Sequence, residues 1–194
     1  TIMVCFIAII LGNIITLDEI HSPAFLRNLI APLSGFTQIS ASLLTVVVIT
    51  LFQGLVVLSI GYLVFFLDIF ANFHTILISM LLLVSIYGVV GIGIGYFVKN
   101  PSTSLLVSSF VMMINLFMAG VVYPVERMAA FMEPVAKAIP FTSGISMLQQ
   151  SIFYSIPIHM MWRQVLLLGG ILLFSICLLI LARRIFLKRT LKSG

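Results

Sequence analysis

Five stretches of this chain run for seventeen residues or more without one Asp, Glu, Lys, Arg or His: Thr1 to Leu17, Ile39 to Leu67, Thr75 to Val98, Ser104 to Val122 and Val165 to Ala182. A bilayer accepts such runs because a helix of about 20 apolar residues crosses its core and satisfies every backbone group internally. In water nothing would cover them. Of 194 residues 62% are hydrophobic and 8% are charged, against roughly a quarter charged in soluble domains. The chain therefore reads as an all-α integral membrane protein, a polytopic helix bundle of five visible spans forming one domain over 1–194. No stretch is left for a nucleotide-binding domain. The first run covers only about 25 Å at 1.5 Å per residue, short of a core about 30 Å thick. It also begins without Met, so an earlier span is expected upstream, six in all.

Lys and Arg separate cleanly between alternate loops. One side holds Arg27, Lys99, Arg183, Arg184, Lys188, Arg189 and Lys192; the other holds Arg127, Lys137 and Arg163. The positive-inside rule makes the first side cytoplasmic. A multi-pass plasma-membrane protein follows, with a cytoplasmic C-terminal tail. The net charge of +5 is explained by this topology, and the absence of a basic face interleaved with aromatics argues against nucleic acid as a partner. The tail reads as a stop-transfer anchor that also meets anionic lipid. Cys5 and Cys177 fall inside apolar runs and read as packing residues.

The runs' lack of ionisable groups weighs against two classes of mechanism. Ion-coupled carriers and pumps keep such groups near the midplane, and membrane hydrolases need a nucleophile with its base or a metal cluster. No catalytic, metal or cofactor-binding residue is assigned. Any energy for uphill transport is expected to arrive through a partner. Gln53 and Asn115 are candidates for a substrate path, against the ordinary use of such amides in bonds between helices. Gly88, Gly91 and Gly95 fall on one helical face and read as a close-packing seam.

Two connections carry helical punctuation. In the cytoplasmic loop 18–38, Ser22 suits an N-cap, Pro23 a first helical position, and Phe25, Leu26, Leu29 and Ile30 recur at helical spacing with Arg27 opposite. This short amphipathic helix either rests on the membrane interface or docks a partner. On the other side, the insert 122–160 places Met128, Phe131, Met132, Val135 and Ile139 on one face of a helix, with Arg127, Glu133 and Lys137 elsewhere. Pro140 interrupts it, and Thr142 or Ser143 is expected to cap a second half-helix bearing Ile145, Leu148 and Ile152. The pair reads as an interfacial or re-entrant element over the outer leaflet. Pairings of Glu126 or Glu133 with Arg127 or Lys137 read as solvated surface charges.

In order, FLRNLIAPLS from Phe25 to Ser34, GLVVLSIGYLVF, NLFMAGVVYPVERM and PFTSGISMLQQ resemble the type-2 ABC exporter permease family, nearest its drug and lipid exporter branch. Ala119 and Ala129 stand where that family has Ser and Pro. The resemblance implies a six-span half-transporter pairing with a second permease copy, identical or not, and with two cytoplasmic ABC ATPase subunits that carry ATP and Mg. Pro23, Phe25, Leu26, Arg27, Leu29 and Ile30 would form its ATPase-coupling helix, and Tyr123, Pro124, Glu126 and Pro140 its outer insert. An amphipathic or hydrophobic substrate, such as a drug, lipid or glycolipid, would leave by alternating access. Two other readings stand beside this one: a passive channel or scaffold subunit, and a membrane-embedded enzyme using Glu126, Glu133, His159 and hydroxyls around Thr142.

Overall fold

A computed structural model describes residues 1–22, 35–66, 69, 72–98, 100–121, 127–128, 131–154 and 156–192, with backbone alone at 35 and 184–192. These residues form seven α-helices: α1 (Ile2–His21), α2 (Gly35–Phe65), α3 (Phe73–Phe97), α4 (Pro101–Met118), α5 (Met132–Ala138), α6 (Pro140–Phe153) and α7 (Trp162–Lys192). A single turn of 3-10 helix, Ile158–Met160, leads into α7. No strand occurs among the described residues. Helices α1, α2, α3, α4 and α7 are each long and apolar enough to cross a membrane, so the chain is a polytopic helical membrane protein.

Several boundaries differ from the sequence reading. The first helix does not stop at Leu17 but continues through Asp18, Glu19 and Ile20 to His21. Charge had marked these four as loop, yet the Leu17 carbonyl lies 2.8 Å from His21 Nδ1 and the Ser22 N–H closes the last turn on Asp18 O. At 20 residues α1 is about 30 Å long, a full crossing. Helix α4 begins three residues before Ser104, because Asn100 Oδ1 accepts from the Ser102 and Thr103 N–H groups and Pro101 fills the first turn. It ends at Met118 rather than Val122, where Gly120 takes φ 76°, a conformation that only glycine adopts without strain.

Helix α3 is the axis of the bundle. Contact registers set the direction of its neighbours. On α1, Ile9 faces Gly91 and Thr16 faces Gly95, so the two run parallel; on α2, Gly54 faces Met80 and Val46 faces Gly88, so these run antiparallel. Helix α7 runs parallel to α3, with Leu168 beside Ile86 and Leu179 beside Gly93. The α1–α3 crossing is close enough to exclude side chains. A Cβ on Gly12 would lie 2.6 Å from Gly88 O, and one on Gly95 would lie 2.7 Å from Thr16 Cβ and 3.0 Å from Asn13 O. Of the seam expected at Gly88, Gly91 and Gly95, Gly91 and Gly95 face α1, while Gly88 turns toward Val46 and Leu43 of α2. The long helices α2, α4 and α7 flank this pair and keep broad apolar faces outward, among them Phe52, Leu63, Leu106, Phe110, Leu173 and Phe174.

Candidate functional site

At one end of the bundle the C-terminal turns of α1 and α3 meet the start of α2 and the inner length of α7. An apolar layer forms first: Ile39, Val89, Ile92, Tyr96 and Leu179 are buried together, with Ile20, Leu43 and Ile176 against them. Over this layer lies a polar cluster. Arg183 of α7 donates from its guanidinium to Gln38 Oε1 of α2, and its charge acts on the Tyr96 side chain of α3 and the Glu19 carboxylate of α1. Polar side chains of four helices thus gather at this end. Gln38 and Glu19 stand just outside residues 23–34, the segment holding Pro23, Phe25, Leu26, Arg27, Leu29 and Ile30, which lies outside the described residues.

Deeper in the bundle, polar side chains are spent on holding helices together. Asn13, wholly buried in α1, donates from Nδ2 to Ser108 Oγ at 2.8 Å and accepts at Oδ1 from Ser104 Oγ at 2.6 Å. Both serines lie one turn apart on α4. The sequence reading passed over Asn13; the signal was the Ser-x-x-x-Ser spacing, which puts two hydroxyls on one face of α4. Asn115, named for the substrate path, accepts the Tyr87 hydroxyl of α3 at 2.6 Å and donates to Val111 O at 2.7 Å. Gln53 is half-buried on α2. Neither lines the apolar cleft of about 270 Å³ between α2 and α3 at the other end, bounded by Leu55, Leu58, Ser59, Tyr62, Leu63, Ile69 and Phe73.

The insert is built into the bundle rather than laid over it. Pro140 occupies the first turn of α6, as its missing N–H allows. Thr142 caps nothing: its hydroxyl donates to Ala136 O at 2.7 Å and straps α6 to α5, while Ser143 gives no capping bond either. The apolar stripe expected around Phe131, Met132 and Val135 faces outward, and Ala136 is the residue of α5 that is buried. Phe141 is wholly buried and meets the Tyr87 ring edge-on, with centroids 5.7 Å apart and planes at 84°. Tyr87 lies about 20 Å along α3 from Phe73, so the α5–α6 turn sits near mid-helix. From there α6 climbs antiparallel to α3, Gly144 pressed against Leu83, and reaches α7 through Ser146 Oγ, which accepts from the Gln150 and Gln164 amides at 3.4 and 3.3 Å. Glu133 and Lys137 pair at 2.6 Å on the exposed face of α5. Tyr123, Pro124 and Glu126 lie outside the described residues.

The comparisons with known proteins agree with this architecture. No curated protein and no solved structure matches the chain. The family model described as ABC-2 type transporter matches residues 1–153, from α1 through the end of α6. With more than half of its length so matched, the chain belongs to the ABC-2 type transporter family, as the membrane-embedded permease part of such a transporter.

Proposed function

We propose that this chain is the permease subunit of an ATP-driven exporter, energised by cytoplasmic ABC ATPase subunits that dock on the segment between α1 and α2 and working with a second permease copy. One observation carries the reading. Both roots of the segment between α1 and α2, at Ser22 and Gln38, lie at the Arg183 end, the end where Lys and Arg concentrate and which the positive-inside rule makes cytoplasmic. The segment's Phe25, Leu26, Leu29 and Ile30 then supply an apolar stripe for a partner in the same compartment as ATP. Hydrolysis, with ATP and Mg, belongs to that partner.

On the opposite side, the α5–α6 hairpin supports a role in shaping the exit. Its turn meets Tyr87 near the middle of α3, which favours the re-entrant form of the insert over the interfacial one. The broad apolar faces and the apolar cleft suit an amphipathic or lipid-like substrate, released away from the cytoplasm.

The test compares the full-length protein, co-expressed with its candidate ATPase, against Phe25→Asp/Leu29→Asp. Loss of copurification and of ATP turnover, with membrane insertion retained, is expected. Unchanged association would move docking elsewhere, and a wild type that binds no ATPase would favour a channel or scaffold.

A further inference from the structure

A basic residue that only marks the end of a membrane span extends into headgroups and water. Arg183 behaves otherwise. It is partly buried, and its guanidinium turns back over the bundle to an acceptor 145 residues away in the chain. Gln38 lies in the first turns of α2. The layer beneath gathers Ile39 of α2, Leu179 of α7 and Ile20 of α1 into one apolar cluster with Ile92 and Tyr96 of α3, so the polar contact caps a layer that the same helices share.

We propose that Arg183 is a positioning residue that fastens α7 to the start of α2, so that displacement of the 22–34 segment carries the last membrane helix with it. This rests on reading that segment as the ATPase-docking element. Arginine fits the task because its planar fork holds five N–H donors in fixed directions, whereas the three donors of a lysine ammonium rotate freely at the end of a flexible stem. Glu19, at the other root of the same segment, feels the charge of the guanidinium. The charge therefore acts on both roots of the segment.

The experiment uses the full-length permease with its ATPase in lipid vesicles, in a background without native cysteines. Spin labels go on the outward faces of α2 and α7 through Leu44→Cys and Leu173→Cys. Distances are read before and after trapping with ATP and vanadate. With Arg183 present, the α2–α7 distance is expected to stay narrow and unchanged on trapping. With Arg183→Ala or Gln38→Leu it is expected to broaden or shift, while the ATPase still copurifies and its turnover falls about tenfold, within the range of coupling between distant sites. Gln38→Glu, which keeps an acceptor, is expected to behave as wild type, and Arg183→Lys to fall short of it. Distances and turnover unchanged in Arg183→Ala and in Gln38→Leu, with the ATPase bound, would overturn the fastening role alone. A wild type that binds no ATPase would overturn the docking reading and this proposal with it.

Discussion

Gly91 of α3 lies directly against the backbone of Ile9 in α1: a Cβ at Gly91 would collide with the Ile9 carbonyl, coming within 2.9 Å of its carbon and 3.0 Å of Cα. Nothing there is the far end of a flexible side chain. Gly91→Ala is therefore expected to push the two helices apart, with a loss at or above the roughly 1–3 kcal/mol of ordinary overpacking. Gly170→Ala is the control, since a Cβ there meets nothing within 4 Å, and it is expected to be neutral or to gain up to about 1 kcal/mol of helix propensity. Thermal unfolding in detergent separates the two; equal effects would refute the seam.

Asn13→Leu removes both bonds from α1 to α4. Hydrogen bonds between membrane helices average about 0.6 kcal/mol and reach about 1.7, so a loss of about 1–3 kcal/mol is expected. Ser108→Ala should cost less, and the double variant less than the sum of the two. Strict additivity in chemical unfolding would mean that the residues do not act together.

Tyr87 joins two kinds of contact, and substitution separates them. Tyr87→Phe keeps the ring on Phe141 but loses the bond to Asn115, an expected cost of about 0.5–1.5 kcal/mol. Phe141→Ala empties a wholly buried site and is expected to cost about 3–5 kcal/mol. If the melting temperatures of the two variants coincide, α6 is not anchored at mid-bundle.

Lys137→Ala breaks the Glu133 pair on the exposed side of α5. Exposed i,i+4 pairs are worth about 0.3–0.5 kcal/mol, so stability and its salt dependence should hardly change. A loss above about 1 kcal/mol would show that the pair is enclosed in the working assembly.

What the sequence disclosed, it disclosed through patterns confined to one segment. An apolar run fixes a crossing helix because the bilayer leaves no alternative, and three glycines on one face of α3 announce a close approach. Where the pattern turned polar the reading faltered. Asp18 to His21 looked like loop by charge although backbone bonding continues through them, and Thr142 looked like a cap although it bonds backward across the Pro140 break. The pairings of Asn13 with Ser104 and of Arg183 with Gln38 were not legible at all. Each joins residues 91 or more positions apart, and no local periodicity encodes which helix will stand beside which.

The same long separation sets a schedule for biosynthesis. Asn13 leaves the ribosome 91 residues ahead of Ser104 and 95 ahead of Ser108, which at about 5–20 residues per second is an interval of about 5–20 s. Throughout it the first helix carries an amide whose partners have not been synthesised. The bundle can close around α1 only once α4 has emerged, and a ribosome stalled between α3 and α4 would leave that amide facing hydrocarbon.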